Sequence, residues 1–193
     1  MPRCSPAGSN EARVAGYYPD RLSGLADFLP MARGCSVLDI GCNRGLVAFE
    51  FARYGARLVH GCDIYGEGIR TAAEIFKELD VVSRFETVDL DLAKGSSELE
   101  IAFGSQYEPT YDIVLYLGVH HHLRKKITLA ELGALVRHLA GKAAQYFVCR
   151  APSLDEVDQL VVSAGLARVH FSRLSHAVSS LAIWEKRHDE SGS

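Results

Sequence analysis

Residues Ser36 to Gly45 read SVLDIGCNRG, and this stretch decides the fold. It opens as a short apolar run and ends in a turn rich in residues that tolerate unusual backbone angles. An apolar run of this length, closing on glycine, predicts a buried parallel strand from Ser36 to Cys42. Gly45 to Tyr54 then places Val47, Phe51 and Tyr54 on one helical face, and Gly55 stops the helix. Gly41 and Gly45 let the backbone turn tightly and approach a ligand. The free N–H groups at the helix start favour an anionic group there. A dinucleotide-binding loop would read G-x-G-x-x-G, but Asn43 stands in place of the middle glycine and the residues after it do not match that pattern. Asn tolerates positive φ better than most residues, so the turn itself survives.

Outward from this unit the strand–helix alternation continues. Arg57 to Ile64 (RLVHGCDI) predicts a second strand, Ile69, Ala73 and Phe76 a second helix, and Phe85 to Leu90 (FETVDL) a third strand. Residues 93–110 are polar, with room for one short helix. Tyr111 to Val119 (YDIVLYLGV) is the most apolar strand, Leu129, Leu132, Val136 and Leu139 form a helical stripe, and Ala143 to Arg150 predicts a fifth strand. After Pro152, the pair Ser153 and Glu156 predicts a capping box, opening a helix with Leu154, Val157, Leu160 and Val161 on its buried face and Gly165 at its end. Ala167 to Arg173 and Ser180 to Glu185 come last as strands with a short connection, which suits an antiparallel hairpin.

Upstream, Leu22, Leu25, Phe28 and Leu29 fall at helical spacing within Val14 to Arg33, a segment that Pro30 is expected to end. The fold class is therefore α/β: a doubly wound, mainly parallel seven-stranded sheet with an antiparallel C-terminal hairpin. Residues 1–13 read as a disordered N-terminus, 14–187 as one domain with a helical N-terminal segment at 14–35, and 188–193 as a tail.

Composition narrows the function classes. The 193 residues are 48% hydrophobic and 23% charged, enough apolar material for a core without staples. A net charge of -3 lacks the basic footprint usual for nucleic-acid binding. The five cysteines, Cys4, Cys35, Cys42, Cys62 and Cys149, have neither CxxC nor zinc spacing. Reduced thiols and a cytoplasmic location are expected. No apolar run reaches the roughly 18 residues of a membrane span, and Met1 to Asn10 has no signal-peptide core.

Ligands on open α/β sheets bind beyond the carboxyl ends of the strands. In order, those ends carry Asp39 to Gly45, Asp63, Asp89, and Gly118 to His122. Each alone reads equally as a turn or cap residue; the series in order, at these spacings, does not. VLDIGCNRG resembles the first signature of class I S-adenosylmethionine-dependent methyltransferases, D/E-x-G-x-G-x-G, and departs from it at Asn43. YDIVLYLGVHHHL is similar to the family's strand-four signature, and the likeness extends over about residues 35–187.

The resemblance implies S-adenosylmethionine as cofactor and S-adenosylhomocysteine as product. It implies cofactor contacts from Asp39, Gly41, Cys42, Asn43, Gly45, Asp63, Ile64, Asp89, Leu90 and Leu117. Asp63 matches the acid that accepts from the ribose hydroxyls, and Asp89, with Asp91 as fallback, the acid that meets the adenine amino group. Ile64 and Tyr65 would flank the adenine ring. Asp39 and the carbonyl of Leu117 or Gly118 would offset the cofactor's positive charges.

His121 or His122 is the candidate base, since a neutral imidazole is poised near pH 7. No metal is expected: three adjacent histidines in extended chain point apart and do not converge on one ion. Arg124, Lys125 and Lys126 form either a solvated face or a seat for an acceptor phosphate or carboxylate, and Tyr17, Tyr18 and Arg21 could touch cofactor or acceptor. A small-molecule acceptor is expected. The alternatives are an RNA or protein methyltransferase, a non-catalytic cofactor-binding module, and a nicotinamide oxidoreductase, which the loop disfavours. No Asn/Asp-Pro-Pro-aromatic tetrapeptide comes after strand four, against nucleic-acid amino methylation.

Overall fold

A computed structural model describes residues 21–90, 97–173 and 179–187. The chain forms β1 (Ser36–Ile40), α1 (Leu46–Arg53), β2 (Leu58–Asp63), α2 (Gly66–Phe76), β3 (Val82–Thr87), α3 (Ser97–Phe103), β4 (Tyr111–Leu117), α4 (His120–Leu123), α5 (Leu129–Lys142), β5 (Ala143–Ala151), α6 (Asp155–Ser163), β6 (Leu166–Arg173) and β7 (Ser180–Lys186). The seven strands make one sheet in the order β3-β2-β1-β4-β5-β7-β6. The first five are parallel, and β7 pairs antiparallel with both β5 and β6. This is the expected α/β architecture with its antiparallel ending.

All five residues of β1 are buried, as the sheet's central parallel strand requires. Its alternate side chains enter two separate cores. Leu38 and Ile40 join Leu132, Val136 and Leu139 of α5 and Val157 and Val161 of α6. Val37 joins Leu25, Phe28 and Leu29 with Ala48 and Phe51 of α1. Covering both faces leaves only the strand ends open to a ligand. Register brings those ends level: Ile40 lies beside Cys62 and Tyr116, and Leu117 beside Arg150.

Four local expectations are corrected. The third strand runs over Val82–Thr87 rather than Phe85 to Leu90. It is the edge strand and only partly covered, so the apolar density that marked Val88 and Leu90 comes from their burial after the strand, where the chain turns back over the sheet end. Pro30 does not end a helix; it sits in the first turn of a 3-10 helix, Leu29–Ala32, where its fixed φ fits and its missing N–H costs nothing.

Ser153 and Glu156 form no capping box: Leu154 caps α6, and Glu156 is drawn to the Arg124 guanidinium by two charge-assisted bonds of 2.9 and 3.2 Å. The reciprocal box lies instead at Thr128 and Glu131, opening α5. His120–Leu123 is a helical turn, not extended chain: Gly118 takes a positive φ of 75°, and the N–H groups of His122, Leu123 and Arg124 donate back to the Val119 and His120 carbonyls. The expectations for residues 1–13 and 188–193, and for Cys4, Tyr17, Tyr18 and Asp91, lie outside the described residues.

Candidate active site

At the carboxyl ends of β1, β2, β4 and β5 lies a cavity of about 520 Å³, within the range of small-ligand pockets. Its floor is the turn after β1. Gly41, Asn43 and Gly45 all have positive φ, at 75°, 53° and 70°. Asn43 is the one non-glycine in this region among the described residues, so it keeps the backbone path a glycine would give. Gly41 is required for a second reason: a Cβ there would sit 2.0 Å from Val119 Cγ2.

The turn is tied to β2 by backbone and side chain. The Gly41 and Cys42 N–H groups donate to the Cys62 carbonyl at 2.8 and 3.0 Å. Asp63 accepts from the Asn43 N–H through Oδ2 and from the Tyr65 N–H through Oδ1, each at 2.8 Å. A carboxylate has about four acceptor positions, so Asp63 fixes two backbone segments and still has capacity for a ligand's hydroxyls. The Asp63 carbonyl accepts from Val88 N–H at 3.0 Å, which brings the following Asp89 and Leu90 to the cavity wall.

Asp39 is 2% exposed and lines the cavity. Burial, reinforced by the Asp63 charge, pushes its carboxyl up to about 7 against the opposing pull of Arg21. Such a carboxyl is primed to ionise beside a cation. The described thiols of Cys35, Cys42, Cys62 and Cys149 are free and buried, and burial holds the Cys42 thiol far above its ordinary range.

The far wall is built by Leu117, Gly118, Val119, His122, Leu123 and Lys126, with Arg150 at the end of β5. The α4 turn separates this cavity from a second one of about 330 Å³, lined by His120, His121, Arg124, Lys125 and Glu156. The His121 and His122 ring centroids are 3.9 Å apart with the planes tilted by 40°, so the two rings touch while opening to different cavities. Burial, with the neighbouring His122 and Lys125 charges, lowers the His121 pKa. His120 is buried against Tyr116, and its Nε2 lies 3.7 Å from a Glu156 carboxylate oxygen.

The cavity thus gathers Asp39, Gly41, Cys42, Asn43, Asp63, Ile64, Asp89, Leu90, Leu117 and His122 of the residues selected from the sequence. Gly45 does not line it; it begins α1 and packs on Ala72 and Phe85, leaving 2.9 Å to Ala72 for any Cβ. His121 faces the second cavity. Tyr65 is also off the wall, its hydroxyl donating to Glu67 at 3.0 Å. Arg150 had no sequence signal beyond ending a strand, and only the β4–β5 register could have pointed to it.

The chain belongs to the methyltransferase-domain family, whose profile matches residues 38–143. It is a class I enzyme of the kind that uses S-adenosylmethionine as methyl donor. No curated protein sequence matches it. Among solved structures it is similar to magnesium protoporphyrin IX methyltransferase (ChlM) of Synechocystis PCC 6803 with bound SAH, at 19% identity and TM-score 0.67, covering 95% of this chain and 90% of that one. It is also similar to the N-methyltransferase NodS of Bradyrhizobium japonicum WM9, at 14% identity and TM-score 0.66, covering 87% and 95%. A third likeness is to a structure from Haloferax volcanii in which a methyltransferase is bound to the Trm112 methyltransferase activator, at 14% identity and TM-score 0.64, covering 92% and 94%. Among the described residues no helix is long and apolar enough to cross a membrane.

Proposed function

We propose that the main cavity binds S-adenosylmethionine over β1 and β2 and that its methyl group passes to a small-molecule acceptor over β4 and β5. The observation that carries this is the convergence of Gly41, Cys42 and Asn43 with Asp39, Asp63 and Asp89 on one cavity. The donor set suits the ligand: three acids face a molecule carrying a sulfonium and an ammonium charge, and Gly41, Cys42 and Asn43 of the turn border the space for its amino-acid end.

Asp63 accepts from the ribose hydroxyls with the lone pairs that Asn43 and Tyr65 leave. Asp89 meets the adenine amino group, and Ile64, 54% exposed, covers the ring. Asp39 and the Leu117 carbonyl offset the positive charges.

The donor supplies an activated methyl group, so the chain's work is positioning and proton removal. The S–CH3 bond breaks as the acceptor–CH3 bond forms, and the sulfur leaves uncharged as S-adenosylhomocysteine. His122, on the acceptor-side wall, takes the acceptor's proton. His121 packs against the His122 ring at a tilt of 40° and limits its movement. A macromolecular acceptor is less well supported, since Arg124 of the basic run is already committed to Glu156. The buried free thiols suit a reducing cytoplasm.

Titration with S-adenosylmethionine, S-adenosylhomocysteine, NAD and NADP tests the reading. The first two should raise the melting temperature, as any ligand of the native state does; a shift with NAD alone sinks it.

A further inference from the structure

The cavity's charges are segregated. Asp39, Asp63 and Asp89 occupy the half at β1, β2 and the chain after β3, whereas Arg150 and Lys126 occupy the half at β4 and β5, and Arg21 lies between them, its charge felt by both Asp39 and Arg150. Two strand spacings separate β5 from β1 in the sheet order, which is about 10 Å. Arg150 therefore lies beyond the methyl donor's place, across the end of β4.

Its surroundings are unusual for a cation. The side chain is half-buried, and among the described residues no carboxylate pairs with it. Nη2 donates to the Ser23 carbonyl at 2.9 Å, and Nε is sealed from solvent with no partner among the described residues. Arg21 lies close enough to raise the local positive potential, and together with burial it lowers the Arg150 pKa. A guanidinium stays charged all the same, and a desolvated charge without a counter-ion is costly. Its planar fork matches a carboxylate or phosphate in two parallel bonds.

We propose that the methyl acceptor carries an anionic oxygen group, a carboxylate or a phosphate, which seats on Arg150 with Arg21 as the second cation. This rests on the donor-binding reading of the same cavity. The anion would neutralise the cation pair and hold the acceptor's nucleophilic atom between Arg150 and the donor's methyl group, with His122 beside it.

The test uses the full chain saturated with S-adenosylhomocysteine, titrated calorimetrically with benzoate and phenyl phosphate and with their neutral counterparts, benzamide and phenol. At least one anion should bind ten times more tightly than its neutral partner, and which one does so tells carboxylate from phosphate. Arg150→Gln should abolish that preference and Arg150→Lys retain part of it, with S-adenosylhomocysteine affinity held within twofold in both.

Equal binding of anions and neutral partners to the wild-type complex overturns the proposal, whatever the variants do. So does a tenfold loss of S-adenosylhomocysteine affinity in Arg150→Gln with anion binding intact, because the guanidinium would then serve the cofactor's own carboxylate. Failure of the wild-type chain to bind S-adenosylhomocysteine at all is a different result, and it removes the donor reading itself.

Discussion

The two halves of the cavity are built by different means. Toward β1 and β2 the wall is mostly backbone: a turn with three residues at positive φ, and a carboxylate whose oxygens each hold a main-chain N–H. Toward β4 and β5 it is mostly side chain: His122 and Lys126 beside a single helical turn, and an arginine reaching in from a strand end. A backbone-built half has one geometry and suits a ligand that never changes. A half built of side chains on a short turn is re-shaped by single substitutions, which suits an acceptor that differs from enzyme to enzyme.

The largest effect is expected at His122. Replacing it with alanine should lower kcat by 10² to 10⁴, the usual worth of a positioned base, with cofactor affinity nearly unchanged; His121→Ala should cost far less. Equal losses in the two variants would mean that the two touching rings act as one unit.

Gly41→Val attacks the other half. It forces a branched side chain into positive φ and into Val119, at a cost of about 2–4 kcal/mol in denaturant unfolding, and cofactor binding should disappear with it. Retained binding would show that the turn is not the cradle.

Asp63→Ala should weaken cofactor binding by about a hundredfold, roughly 3 kcal/mol of charge-assisted bonds. Because Asp63 also holds Asn43 and Tyr65, the variant should lose some stability as well, measurable as a lower melting temperature.

The smallest effect is a pH dependence. The Asp39 carboxyl titrates near 7 when buried, against 3.8 for an ordinary aspartate. In the free protein its folded pKa is raised, so the stability it contributes is full below about pH 4 and is lost as pH rises through 7. Ligand binding runs the other way: a cationic donor needs the ionised form, so affinity should fall by up to about tenfold per unit below pH 7. Asp39→Asn should flatten that slope in a calorimetric titration; an unchanged slope assigns it to another group.

How much could be read in advance differs by region for physical reasons. The turn at residues 41–45 was legible because positive φ is a local demand, met by glycine and asparagine whatever surrounds them. The edge strand β3 was misplaced because its residues are only partly covered, so hydrophobicity marked Val88 and Leu90 just past its end instead. The Ser-x-x-Glu pattern at Ser153 makes no capping box because Glu156 binds a guanidinium 32 residues away in sequence, while Thr128 and Glu131, at the same spacing, do form one. His121 and His122 were indistinguishable as neighbours in a string, and only the turn of α4 sends one to each cavity.

By itself, then, the amino-acid order determined the alternation of strands and helices, the sheet's antiparallel ending and the acids and glycines that stand beyond the ends of the first three strands. These depend on hydrophobic period and backbone preference, which act within a few residues. Tertiary structure alone decided which histidine faces the main cavity, where Glu156 is spent, and that Arg150 shares a cavity with residues more than a hundred positions away. Those outcomes depend on strand register and on competition among distant charges, neither of which leaves a local trace in the chain.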